Sequence, residues 1–225
     1  MISMGESRVV IPIFGILDVT GEVIGMWVVL AAVAVISLLA TRHMREKPGR
    51  FQNVIETGVE YLDNYFSGIL GRKESRKHFL FLGSLFIFII FGNYSGLIPG
   101  VGLTDYWKAP TSSLSVTLGL GIVTFFYLQG ASIHARGFTG YLKRFVSPIA
   151  IMLPLLILDE FIKPASLALR LFGNIFGEET VTEQLYELLP IGAPVVMMVL
   201  SLLFCALQAV VFTTLVSIYL QEAAE

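Results

Sequence analysis

Two basic residues, Lys163 and Arg170, fall inside a long apolar stretch that runs from Phe145 to Leu189. An arginine at the centre of a bilayer costs about 2.5 to 3.5 kcal/mol on insertion scales, and with a pKa above about 12 it cannot escape by losing its proton. A permanent cation in such a place points to the movement of ions. At about 100° per residue along a helix, Lys163, Ser166 and Asn174 project within about 40° of Arg170. Asp159 lies one turn before Lys163 and extends this polar stripe. The i,i+4 spacing predicts a structural ion pair between Asp159 and Lys163 near the interface.

Glu179 projects from the opposite side of the same helix, about 13 Å beyond Arg170, so it does not neutralise the arginine directly. Glu178 lies about 80° from the arginine direction, and Glu183 and Glu187 follow toward that end. Acidic groups at one end and an isolated cation in the middle suggest an ion-access path that meets a barrier. Plainer roles stand beside this one. Asn174 and Gln208 suit hydrogen bonding between helices, Ser201 and Cys205 are small residues one turn apart that let helices approach, and Glu178 and Glu179 suit a helix end at the interface.

The elements that carry these residues follow from composition. The chain has 225 residues, 55% hydrophobic and 14% charged, with a mean hydropathy of +0.78. That is more apolar surface than a water-soluble globule can hide. The expected fold is an all-α membrane protein forming a single membrane domain over 1–225, with about five membrane helices and one amphipathic helix on the cytoplasmic surface. Residues 1–22 read as an outside tail, and Met1 to Thr20 lacks the pattern of a removable signal peptide. Residues 23–40 form a charge-free first span, followed at once by Arg42, Arg45, Lys47 and Arg50.

Residues 51–70 repeat apolar side chains at helical spacing between Gln52, Glu56, Glu60 and Asp63, which predicts the surface helix. Arg72, Lys73, Arg76 and Lys77 precede a span over 79–98, and a third span over 113–133 returns toward Arg136, Lys143 and Arg144. Lys and Arg concentrate on cytoplasmic loops. Eight lie between Arg42 and Lys77 and three between Arg136 and Arg144, against Arg8 and Lys108 on the other side. This places the N-terminus outside and the C-terminus in the cytoplasm. The stretch 145–189 would measure about 65 Å as one helix, roughly twice the hydrocarbon thickness, so it must tilt, kink or double back. A last apolar run, 191–220, follows Pro190 and ends in an acidic tail.

Several classes are disfavoured. No P-loop signature points to nucleotide binding by this chain, and no internal repeat supports an inverted-repeat transporter. Cys205 is alone, so there is no disulfide framework, and packing is its expected role. The pattern calls for no metal, no cofactor and no nucleic-acid partner.

The segment Lys163-Pro-Ala-Ser-Leu-Ala-Leu-Arg-Leu-Phe-Gly-Asn174 closely resembles the signature of subunit a of F-type ATP synthases. Supporting matches are Asn93 to Gly100 (NYSGLIPG), Pro110 to Leu118 (PTSSLSVTL), Gly140-Tyr141, Gln208, and Tyr219-Leu220. The similarity covers nearly the whole chain after about Val23, in the expected order. It implies that Arg170 is the essential arginine facing a rotating ring of c subunits, each bearing one ion-binding carboxylate. It further implies that Asn174 is the motif asparagine, Glu179 the access-channel acid and Gln208 the glutamine of the last helix. Some members carry a His seven residues before that glutamine, where this chain has Ser201; Glu178 beside Glu179 is the expected compensation.

The resemblance also implies that 145–189 and 191–220 form a strongly tilted hairpin against the ring, in the FO sector. Implied partners are the c-ring, peripheral-stalk b subunits, the other ATP synthase subunits and the lipid bilayer. The expected function is that of a stator with two offset half-channels in a bacterial cytoplasmic membrane. H⁺ is the expected ion, although the ring's own binding site sets the choice between H⁺ and Na⁺. The alternatives are a secondary transporter or channel built on an intramembrane Arg, and a purely structural scaffold.

Overall fold

The computed structural model describes residues 9–13, 17–42, 49–97, 109–146, 153–188 and 192–224. Arg8, Arg45, Lys47, Lys108, Pro148 and Pro190 lie outside the described residues. The order is β1 (Val9–Ile13), β2 (Leu17–Thr20), α1 (Gly21–Thr41), α2 (Arg50–Leu70), α3 (Arg72–Ser95), a 3₁₀ turn (Pro110–Ser112), α4 (Leu114–Val146), α5 (Leu153–Leu188) and α6 (Ala193–Ala224).

The two short strands pair antiparallel, with Ile11 opposite Val19 and Ile13 opposite Leu17. The hairpin precedes an otherwise helical chain and was not expected in the tail. Five and four residues are too short for a periodic signal, although the Val and Ile content favours extended backbone.

Helices α1, α3, α4 and α6 contain segments long and apolar enough to cross a membrane: Val23–Thr41, Arg72–Ser95, Leu114–Gly137 and Val195–Ala223. Their exposure supports that reading. In α6, Leu203 and Leu207 are more than half exposed while Ser201, Gln208, Thr213 and Ser217 are buried. Apolar side chains face outward because hydrocarbon is the solvent there, and small or polar residues take the helix contacts. Two of the buried hydroxyls are satisfied within α6 itself, Thr213 donating to the Ala209 carbonyl at 2.8 Å and Ser217 to that of Thr213 at 2.8 Å.

Helix α2 is amphipathic. Phe66 and Leu70 are buried, Phe51, Val54 and Tyr61 are exposed, and the Tyr65 hydroxyl reaches that of Thr214 on α6 at 2.6 Å. Gly71 separates α2 from α3 with φ of 80°, a left-handed value that glycine adopts without steric cost. The basic cluster Arg72 to Lys77 therefore lies in the first turns of α3, so this helix starts earlier than the span expected from Phe79 onward.

Helix α4 runs on past Ile133 to Val146 and bends at Gly137, whose φ is 70° and ψ 161°. Helix α5 packs against both α4 and α6. Its stripe of Leu167, Ala168, Leu171 and Ile175 is buried at helical spacing, and α6 supplies Ala209, Phe212, Val216 and Leu220 in the same way. Pro164 interrupts the hydrogen-bond ladder of α5 without ending the helix. Here α4 comes closest: a Cβ on Gly121 would sit 3.0 Å from the Pro164 carbonyl oxygen and 3.1 Å from the Ala168 Cβ. Gly121→Val must therefore push α4 from α5 and should destabilise the protein by about 1 to 3 kcal/mol. Thermal unfolding in detergent reads this, and an unchanged midpoint would show that the two helices are not held this close.

Candidate functional site

Burial of the Leu167, Ala168, Leu171 and Ile175 stripe determines where the polar residues of α5 go. Arg170 and Asn174, one turn apart, both fall on the exposed face of the helix. Arg170 sits beside Leu169, which is 56% exposed, and among the described residues no carboxylate forms an ion pair with it. A guanidinium on an outward apolar face without a counter-charge is costly unless something outside the chain provides one.

Asn174 reaches back toward α6, where its Nδ2 donates to Gln208 Oε1 at 2.7 Å. Gln208 is 3% exposed and its Nε2 has no hydrogen-bond partner. One turn further along α5, Glu178 turns partly inward and its carboxyl lies near Ser201. Its Oε2 is buried without a partner, and Cys205 lies close enough to feel its charge. Glu179 is partly exposed on the same turn. The structure thus brings Glu178, rather than Glu179, to Ser201.

A third helix reaches this junction. Asn93, near the end of α3 and 2% exposed, donates its Nδ2 to the Cys205 carbonyl at 3.4 Å, and its Oδ1 is left without a partner. The Tyr94 hydroxyl donates to the Leu202 carbonyl at 3.3 Å. Asn93 Oδ1, Glu178 Oε2 and Gln208 Nε2 are therefore three buried polar atoms with unused bonding capacity where α3, α5 and α6 meet. Sequence reasoning had Asn93 only as the start of a polar interruption and part of a motif. The signal that could have found it was an asparagine inside a stretch of Phe, Ile and Gly.

At the opposite end of α5, the expected pairing is corrected. Lys163 does not pair with Asp159; its Nζ donates to Glu222 Oε2 on α6 at 2.6 Å and lies 5.0 Å from the centre of the Tyr219 ring. Asp159 is on the exposed side of α5, whereas Lys163 is turned partly inward toward α6. An antiparallel neighbour thus offers a carboxylate and an aromatic face that one-dimensional spacing cannot reveal. Beside this pair, Gln129 Nε2 on α4 donates to Glu160 Oε2 at 3.0 Å.

Polar groups are therefore arranged toward both ends of the α5–α6 pair, with Arg170 between them on the exposed face and without a counter-charge among the described residues. Residues 23–221 match the family described as the ATP synthase A chain. The chain belongs to that family. As an ATP synthase A chain it is a multi-pass, membrane-embedded, non-catalytic subunit of the FO sector, and its partners are other subunits of the ATP synthase. In this family member the Asn174–Gln208 hydrogen bond joins the two last helices at the level of Arg170. A double-mutant cycle of Asn174→Ala and Gln208→Ala, followed by unfolding in detergent, should give a coupling of about 0.6 to 1.7 kcal/mol. Additive effects would show that the pair contributes nothing to joining the helices.

Proposed function

We propose that this chain is the stator of ion translocation, with two offset half-channels that load and unload the carboxylates of a c-ring turning against α5 and α6. The observation that carries the reading is Arg170, a permanent cation on an outward apolar face with no counter-charge among the described residues. The counter-charge it suits is a carboxylate on a neighbouring subunit.

The positive-inside pattern supports an orientation with the N-terminus outside and the C-terminus in the cytoplasm, in a bacterial cytoplasmic membrane, with the peripheral-stalk b subunits holding the stator still. The junction of α3, α5 and α6 then lies toward the outside. Its unused polar atoms on Asn93, Glu178 and Gln208 suit a chain of water molecules that delivers an ion, H⁺ in this reading. Glu178, which lies near Ser201, is the acid nearest that path, with Glu179 beside it.

A ring carboxylate that accepts the ion becomes neutral and can move into hydrocarbon, whereas an ionised one would be costly there. When it returns toward Arg170, the guanidinium favours the ionised form and the ion leaves to the cytoplasmic side. The same cation repels ions that would pass directly between the half-channels. Direction comes from the membrane potential, worth about 2.3 kcal/mol per charge per 100 mV. Asn174 and Gln208 hold the helix pair beside the arginine so that the carboxylate passes at one height.

Arg170→Ala, assembled in inverted membrane vesicles, should abolish ATP-driven pumping while passive ion leak is kept or raised. Normal coupled pumping would reject the role of Arg170. The carboxylates separate by a second measurement: Glu178→Gln should slow passive conduction more than Glu179→Gln does. The reverse order would move the outer path to Glu179.

A further inference from the structure

The sequence motif Gly140-Tyr141 and the basic residue Arg136 have no part in the path described above, yet both are at a well-defined joint. Helix α4 turns at Gly137, with φ of 70°, and the chain beyond it comes back far enough for the Tyr141 hydroxyl to donate to Gln129 Oε1 at 2.6 Å. Residues twelve apart on a straight helix would be about 18 Å apart, so this contact requires the bend. The joint leaves Arg136 at the end of α6. Its Nε donates to the Ala223 carbonyl at 3.1 Å and its Nη2 to the Glu222 carbonyl at 2.8 Å.

Carbonyls in the last turn of a helix have no donor within the helix, and a cation there is further favoured by the helix dipole. The same residue, Glu222, is gripped from α5 by Lys163. The end of α6 is therefore held from two sides by charge-assisted bonds to its backbone and its side chain. Other ties to α6, such as Tyr65 to Thr214, meet it partway along its flank. A helix is stiff along its axis, so a grip on its end fixes the height of every residue above it. Gln208 is fourteen residues up from Glu222, about 21 Å along α6.

We propose that Arg136 is a positioning residue: by capping the end of α6 together with the Lys163–Glu222 pair, it sets the axial register of α6 against α5 and so keeps Gln208 opposite Asn174. Its consequence for ion flow rests on the stator reading, but the register itself can be measured without any flow. Asn174→Cys and Gln208→Cys, combined with Cys205→Ser, are made in the complete complex and treated in membranes with thiol cross-linkers of graded length. In this background the cross-link forms with the shortest reagents. Adding Arg136→Gln should lose the short-reagent product and shift cross-linking to longer reagents, and Arg136→Lys should restore part of it, since an ammonium can still donate to one carbonyl. Glu222→Gln, which keeps the carbonyls but removes the ion pair, should shift the pattern less.

An unchanged length preference in Arg136→Gln overturns the proposal. If that variant does not assemble, an unchanged pattern in both Arg136→Lys and Glu222→Gln overturns it equally. In the parent protein, Arg136→Gln should slow ATP-driven pumping, by up to about a hundredfold if the misplacement reaches about 1 Å. A register shift with full pumping would instead leave the positioning role standing and count against the contribution of Gln208 to the path.

Discussion

A guanidinium in hydrocarbon has no protonation state in which it is comfortable. It stays charged at any accessible pH, and placing it on a lipid-facing side of a helix is tolerated only if the surroundings are arranged for it. Much of the α5–α6 pair can be understood from that constraint. The apolar stripe of α5 points away from Arg170 and is buried against α4 and α6, which leaves the arginine no inward escape. The acids that could have quenched it are elsewhere: Glu178 is turned in toward Ser201, and Glu222 is taken by Lys163. Among the described residues, no carboxylate is paired with this cation.

Polar residues of α5 and α6 come together at three heights. Glu178 meets Ser201, Asn174 meets Gln208 and Lys163 meets Glu222, stepping in opposite directions along the two helices as an antiparallel pair must. In a bilayer such contacts are more informative than apolar ones. Lipid competes well for leucine but offers nothing to an amide, so polar pairs specify which helices meet and at what height. The tight contact of α4 with α5 at Gly121 and Pro164 adds a steric reference beside these polar contacts.

Much of this was legible in the sequence, for identifiable reasons. Length and hydropathy located the helices because hydrocarbon thickness imposes a minimum apolar run, and helical projection put Arg170 and Asn174 on one face, which is the exposed face of α5. What was not legible depends on tertiary neighbours. The Asp159–Lys163 pair was inferred from i,i+4 spacing, but Glu222, remote in sequence, was the better partner once α6 folded alongside. The roles of Asn93 and Arg136 are equally invisible in one dimension, since each bonds to backbone carbonyls of a helix more than eighty residues away. Carbonyls carry no sequence signature. The start of α3 at Arg72 was missed because a basic cluster reads as a loop boundary, whereas Gly71 allows the chain to turn and begin a new helix at once.

The outward face of α6 has a mechanical consequence. Val195, Val199, Leu202, Leu203 and Leu207 present only hydrocarbon, and the hydroxyls of Thr213, Thr214 and Ser217 are folded back onto carbonyls of the same helix. A neighbour sliding across this surface breaks no hydrogen bonds and exchanges one set of weak dispersion contacts for another of nearly equal strength. Such a face resists motion very little and behaves as a dry bearing. On the adjoining α5, by contrast, Arg170 and Asn174 interrupt the exposed apolar surface.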